Sequence, residues 1–460
     1  MYFYPPLAPY LLALITSVIG HSLAAYTAIG IAQSAIVTAL LYVIACRLAG
    51  RWPALAASLA FVMLNMCAAS TWRANWIFPY AHAATFGLTF LLAFFACVVF
   101  DRPWLSLVFA VAAAWCKVDF AVAVVIVMMA LLLVGKLRVR HLAAFATAFA
   151  ATAAVMISIF GASELRANIF PPVLIASSRA SRFYAQVSGT SSWRAHLSDV
   201  VLVIAILAVI AWVSRRRSGL ACVLTVLVGL VAPVTTAFFR ACGFLQWLAL
   251  FFRRGDPWLF ALGALSIGTT LRIALNVTPE WYGFVLIVPL YLLIAYAARK
   301  QPVWLVLLLV ISLRGLAHAR TTFATKQFPI VTKRGVILDW NPDRAALLNE
   351  LFPLLHGSVA VMPEGLTLNY FAGVPTPLRF HTFTPVETGD PNVEAEVIRD
   401  LAAHPPEQIV FLQRDMREFA SRGFGTDYDQ RLVAFIRTRY VVERSWSRPK
   451  FKLVLLRRRA

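Results

Sequence analysis

Acidic residues are scarce in this chain. Of its 460 residues only 21 are Asp or Glu, against 42 Lys and Arg, and the first 318 residues hold just six of the acids: Asp101, Asp119, Glu164, Asp199, Asp256 and Glu280. Charged residues of both signs make up 14% of the chain, where a soluble domain carries about 25%. The first 318 residues therefore cannot clothe a water-exposed surface. Cysteine is sparse as well. Cys46, Cys67, Cys97, Cys116, Cys222 and Cys242 all fall in apolar segments without paired spacing, which excludes a disulfide framework and a thiolate metal site. The histidines, among them His21, His196, His318 and His381, show no H-x-x-x-H spacing, so metal catalysis has no support, and no G-x-G-x-x-G fingerprint invites a dinucleotide. No nicotinamide, flavin or metal cofactor is expected. No internal repeat is visible, which weighs against the repeat-built transporters.

What fills the chain instead is apolar: 60% hydrophobic residues and a mean hydropathy of +0.75. This is the composition of a polytopic membrane protein. Its net charge of +21 then reports topology by position rather than nucleic-acid binding. Apolar runs expected to span or nearly span a bilayer lie near 24–46, 52–70, 81–100, 103–116, 119–135, 141–161, 197–213, 219–239, 257–276, 281–298 and 302–318, with a short extra segment near 242–252. The opening "MYFYPPLAPYLLALI", broken by proline and without positive charge, is neither a signal peptide nor a clean first span. The expected fold is thus an α-helical membrane domain of about 11–12 transmembrane helices over 1–318, followed by a small α/β domain over 319–460. That tail holds fifteen of the acids.

Short loops rich in Lys and Arg stay in the cytoplasm. One alternate set of loops holds Arg47 and Arg51, Arg102, Lys136 with Arg138 and Arg140, Arg215 to Arg217, Arg253 with Arg254, and Arg299 with Lys300. The opposite set holds the 71–80 loop, the Lys117 turn, the 162–196 loop, the 277–280 turn and the tail, all expected outside the cytoplasm. In the tail, "GSVAVMP" and "EQIVFL" read as strands, each preceded by a stretch of helical period ("PDRAALLNELFPLLH", "PNVEAEVIRDLAAH"), and "RTRYVVERSW" and "KFKLVLLRRR" as closing strands.

Several stretches carry a resemblance. "VMPEGLTLNYFAGVPTPLRFHTFTPVE", "HPPEQIVF" and "GFGTDY" in the tail, with "FYPPLAPYLLALI", "NWIFPYAHA", "WCKVDFA" and "TPEWYGFVLIVP" before it, resemble bacterial membrane glycosyltransferases of the GT-C superfamily, relatives of protein O-mannosyltransferases and of the aminoarabinose transferase that modifies lipid A. The resemblance implies a multi-pass protein of the bacterial cytoplasmic membrane. It would move a sugar from a polyprenyl-phosphate donor to a cell-envelope glycan, lipid or protein at the outer face, in contact with membrane lipids and without nucleic acid. In that superfamily the proline-bearing stretch follows a first helix and a loop with an Asp or Asp-Glu pair, whereas here it is residues 2 to 14. The resemblance therefore implies either that a first helix and main catalytic base lie upstream of Met1, or that the base is lost. A transporter or lipid flippase, or a non-catalytic scaffold, are the alternative readings.

Sugar transfer needs a carboxylate to take the acceptor's proton and cations to hold the departing phosphate. Asp119 in "WCKVDFA" is the candidate catalytic or orienting carboxylate, and Lys117, Arg272 and Arg73 are the candidate phosphate ligands. Were the segment helical, Lys117 and Asp119, two apart, would face different partners. Asn75, Tyr80, His82, Glu280 and Tyr282 are candidates for holding acceptor or donor sugar. Asp199 is expected as a first-turn acid of its helix. In the tail, Pro363, Glu364 and Gly365 follow a strand where α/β sheets place ligand loops, either as a turn or as a site for acceptor sugar or for docking on the membrane half, a role Arg379 and His381 would share.

Sidedness is directly testable. A reporter active only outside the cytoplasm, fused after residue 340, is expected to be active, and one fused after Arg217 silent; the reverse pattern would invert the topology.

Overall fold

Pro6, without an N–H to lose, precedes the first helix, α1 (Leu7–Ile19). At thirteen residues α1 is about 20 Å long, short of the ~30 Å hydrocarbon core. It lies against Ala83, Phe86 and Cys116. After the Gly20 turn, Ser22 caps α2 (Leu23–Ala49) by accepting from the Ala25 N–H at 3.2 Å. The computed structural model describes residues 5–67, 75–79, 81–169, 178–230, 234–252, 255–273, 275–278, 282–449 and 451–459.

The helical domain continues through α3 (Arg51–Phe61), which runs into a π-turn (Val62–Met66), α4 (His82–Val99), α5 (Pro103–Cys116), α6 (Val118–Leu133) and α7 (Val139–Phe160). Two short helices, α8 (Ala162–Ile169) and α9 (Ser178–Ser188), precede α10 (Trp193–Ser214), α11 (Ser218–Leu230), α12 (Val234–Leu248), α13 (Pro257–Thr270), α14 (Val288–Ala297) and α15 (Pro302–Ala324). Among the described residues, α2, α4, α7, α10 from His196 and α15 are long and apolar enough to cross a membrane alone; shorter apolar helices pack between them. On α7 and α10 large apolar side chains such as Ile159, Leu202 and Trp212 point outward, as lipid contact requires.

One sequence expectation is corrected here. Residues 231–233 of the run at 219–239 lie outside the described residues, with α11 described to Leu230 and α12 from Val234. The segment at 242–252 is not a separate span. It is the second half of α12 followed by a 3-10 turn over Ala249–Phe252. The last apolar helix also runs beyond residue 318, to Ala324.

The helical core is dry around Ile44, Phe61, Phe94, Phe95 and Phe239, all without exposed surface. Close approach depends on missing side chains. A Cβ on Gly87 of α4 would collide with the Phe120 ring of α6, and one on Gly30 of α2 with the main chain of Ile77. Two polar contacts cross this core: Tyr291 Oη donates to Asn65 Oδ1 at 2.7 Å, and Trp76 Nε1 to the Val285 carbonyl at 3.2 Å.

The tail contains a hairpin of β1 (Phe328–Thr332) and β2 (Gly335–Asp339), then α16 (Pro342–Leu351), β3 (Val359–Met362), α17 (Leu366–Ala372), α18 (Pro391–Ala403), β4 (Gln408–Leu412), α19 (Gln430–Arg439), β5 (Tyr440–Arg448) and β6 (Phe451–Arg458). The main sheet runs β3-β4-β6-β5. β3 and β4 pair in parallel through the intervening helices, while β6 is antiparallel to both its neighbours. The four strands read from sequence are these four; the β1–β2 hairpin was not foreseen. Its turn meets the membrane half, where the Leu23 N–H donates to the Arg334 carbonyl at 3.0 Å. Tyr370 Oη donates to the His21 carbonyl at 2.8 Å, and its ring meets Tyr26 edge-on at 5.5 Å.

At the β2–α16 junction Asp339 binds Arg344 through both oxygens, at 2.5 and 2.6 Å, and accepts from the Asn341 N–H. Burial alone would raise this carboxyl, but the Arg344 and backbone hydrogen bonds outweigh it and hold it below its ordinary value. A depressed carboxyl contributes stability above its unfolded pKa of about 4, and that contribution disappears as pH falls through the folded value. Asp339→Asn is expected to speed hydrogen exchange across the junction at pH 7, corresponding to about 1–2 kcal/mol because Arg344 is partly solvated. The gap from wild type should close below pH ~4; a pH-independent gap would refute the ionic account.

Candidate functional site

Between α5 and α6 a single residue leaves the helical conformation: Lys117, extended at φ −164° and ψ 144°. This separates two helices instead of continuing one, so the helical-face rule that would keep Lys117 and Asp119 apart does not apply. Their side chains meet, Nζ to Oδ2 at 2.5 Å. Asp119 also sits in the first turn of α6, where the helix dipole favours a carboxylate.

Arg272 arrives from another helix. α13 tightens into a 3-10 turn over Leu271–Ile273, and the Arg272 guanidinium comes within 3.9 Å of the same Asp119 oxygen. Below this turn a buried network holds α13 to α12. Ser266 Oγ donates to Gln246 Oε1 at 2.7 Å, and Gln246 Nε2 donates to Thr270 Oγ1 at 3.0 Å. Such interhelical bonds fix helices whose association lipid does not drive. The three charged side chains differ in access: Lys117 is 12% exposed, Arg272 24% and Asp119 37%. Two cations and one carboxylate leave a net positive charge at a partly open site, at the end of the helical domain that carries the tail. Chemically, an excess of cations over carboxylates suits an anion.

Sequence reasoning took Lys117 and Asp119 from one turn and Arg272 from another segment, and the fold brings the three together. The other candidates stand differently. Arg73, Tyr80 and Glu280 lie outside the described residues, and of Tyr282 only the backbone, in a 3-10 turn, is described. Asn75 is committed to its own turn, its Oδ1 accepting from the N–H groups of Ile77 at 2.7 Å and Phe78 at 3.0 Å. That oxygen serves its own turn. His82 opens α4 between the rings of Tyr26, at 6.0 Å, and Phe86, at 6.2 Å. Phe86 lies in the same apolar cluster as Cys116, the residue before Lys117.

Asp199 departs from expectation too. α10 begins at Trp193, which moves Asp199 past the first turn, and it pairs with Arg240 of α12 at 2.8 Å. Asp256, at the other end of α13, accepts from the Leu259 N–H, Tyr296 Oη and Arg299, and so acts as a cap and staple. In the tail Glu364 pairs with Arg414, which also pairs with Glu418. Arg379 binds Glu396 at 2.9 Å.

One contributor escaped sequence reasoning. The ring of Tyr184, in α9, lies 5.2 Å from the Arg272 guanidinium. The signal was present: Ala180, Phe183, Tyr184 and Val187 recur at helical spacing inside the 162–196 loop.

No protein-family model and no curated protein matches the chain. Among solved structures, the crystal structure of the Archaeoglobus fulgidus oligosaccharyltransferase in complex with Zn and sulfate aligns with a TM-score of 0.44 at 13% identity, over 89% of this chain. The chain spans 59% of that protein's length.

Removing the carboxylate leaves Lys117 and Arg272 facing one another. Asp119→Ala is expected to lower the stability of the detergent-solubilised protein by about 1–2 kcal/mol, less than the ~3–5 of a fully buried pair because Asp119 is 37% exposed. Adding Lys117→Ala should restore part of the loss. Thermal midpoints of the four proteins in the cycle measure the coupling; strict additivity would mean that the pair does not interact.

Proposed function

We propose that the protein is a membrane glycosyltransferase that passes a sugar from a polyprenyl-phosphate donor to a cell-envelope acceptor at the outer face of the cytoplasmic membrane. The observation that carries this reading is the convergence of Lys117 and Arg272 on Asp119 at the tail-bearing end of the helices. Ionisable groups at membrane depth are costly and point to function. The resemblance of the chain's motifs to GT-C glycosyltransferases supplies the reaction type.

The chemistry assigns the groups as follows. The bond between the anomeric carbon and the phosphate oxygen breaks, an acceptor hydroxyl oxygen bonds to that carbon, and negative charge collects on the departing polyprenyl phosphate. Lys117 and Arg272 meet that charge, and the partly dry surroundings strengthen the interaction. The nearest contacts of both cations are to Asp119 Oδ2, and Oδ1 is the oxygen assigned here to an acceptor hydroxyl. The donor lipid reaches the site from the bilayer and the acceptor from the side of the tail. The tail's position over this end of the helices is what makes it the acceptor-side domain in this reading.

Replacing Lys117 or Arg272 by Gln removes charge-assisted hydrogen bonds worth about 1.5–3 kcal/mol each, a loss of roughly 10- to 150-fold in transfer rate. The measurement is transfer of labelled sugar from polyprenyl phosphate to membrane acceptor, with the abundance of each variant checked in parallel. Undiminished transfer in both variants would make the cluster structural. Solute uptake or lipid flipping lost in the same variants, with no sugar ever transferred, would favour a transporter.

A further inference from the structure

The short helix α9 belongs to two cores at once. On one side Ala180, fully buried, lies in a cluster with Met416, Phe419 and Tyr428 of the tail, and Phe183 stacks on Phe419 with ring centroids 5.0 Å apart and planes 27° apart. On the other, Val187, also fully buried, belongs to the core of the membrane half, and the Ser188 carbonyl accepts from the Leu275 N–H at 2.9 Å, just beyond the turn that carries Arg272. Between these attachments stands Tyr184, its ring 5.2 Å from the Arg272 guanidinium. Adjacent residues of one helix thus touch a tail phenylalanine and the arginine of the candidate site.

We infer that Tyr184 is a positioning residue for Arg272, and that the tail sets its place through the Phe183–Phe419 stack. The physical argument is geometric. An arginine side chain has several rotatable bonds, and holding its planar group toward Asp119 requires a surface on its far side; an aromatic face attracts a guanidinium electrostatically and restricts its orientation. Tyr184 can supply that face only while α9 is fixed in rotation about its own axis, because its neighbours on the helix point elsewhere. The Phe183–Phe419 stack fixes that rotation from the tail, and the Ser188–Leu275 bond fixes the height of α9 relative to the turn of Arg272. The tail end of the linkage is anchored in turn: the Arg414 guanidinium lies 5.6 Å from the Phe419 ring and pairs with Glu364, in the segment after β3 singled out from sequence. The tail is in this way part of the anion site without contributing a ligand to it.

The inference rests on the reading of Arg272 as a phosphate ligand, and the test keeps the two apart. The probe is undecaprenyl phosphate, titrated against the full-length protein in nanodiscs and read by native mass spectrometry, for wild type, Tyr184→Phe, Tyr184→Leu, Phe419→Leu and Arg272→Gln. Tyr184→Phe keeps the ring and is expected to bind as wild type. Tyr184→Leu and Phe419→Leu are expected to bind roughly 3- to 10-fold more weakly, and to cause no further loss when Arg272 is already Gln. A merely structural role would give the same loss in both backgrounds. Wild-type affinity in Tyr184→Leu, or an undiminished loss in the Arg272→Gln background, overturns the inference while leaving the phosphate-binding reading intact. Failure of wild type to bind the lipid overturns that reading and this inference with it, since there is then no bound phosphate for Arg272 to be positioned toward.

Discussion

In hydrocarbon a peptide N–H or C=O without a partner costs several kcal/mol, and no water is at hand to supply one. The membrane half is organised by this constraint. Among the described residues its chain is helical on the outward-facing α7 and α10, and departs from the α-helix at the π-turn after α3, the extended Lys117 and the 3-10 turns after α12 and α13. These departures are where polar side chains become available. The π-turn presents Asn65 to Tyr291, Lys117 turns back toward Asp119, and the turn after α13 delivers Arg272. A continuous helix would have sent Lys117 and Asp119 to different faces.

The candidate site is therefore assembled by helix ends rather than helix faces. α5 and α6 give their junction, α13 its last turn, and α9 a flanking ring. Each contribution is held from behind by something apolar or fully satisfied: the Gly87–Phe120 contact behind α6, the Gln246 network behind α13, and the stack on Phe419 behind α9. The charged groups themselves need not supply the stability. That separation leaves the site free to keep a net positive charge, which an anion offsets when it binds.

The class of the fold was legible because it rests on composition and period, which are local. The apolar runs marked α2, α4 and α15, and the alternation of amphipathic and β-branched stretches in the tail gave β3, α18, β4 and the β5–β6 pair. What failed was what depends on more than one segment. Asp199 could be assigned to a first turn only while the start of α10 at Trp193 and the partner Arg240 were unknown. Lys117, Asp119 and Arg272 could each be named from the rarity of charge in apolar sequence. That they share one oxygen could not, because the extended conformation of a single residue decides it. Tyr184 was hidden for a related reason, since a loop rich in arginine obscured the helical spacing of its apolar residues.

The hydrogen bond between the Leu23 N–H and the Arg334 carbonyl joins main chain to main chain. It meets one of the unpaired donors at the start of α2 with an acceptor from a hairpin more than three hundred residues away in sequence. The bond depends on the shape of the hairpin turn, which Thr332 fixes by donating to the Gly335 carbonyl and accepting from the Arg334 N–H, and Gly335 by its φ of 138°. A residue inserted at Lys333 or Arg334 is not neutral, for it moves the carbonyl out of reach. The fit of the two surfaces at this point is therefore set by the count of residues in one turn.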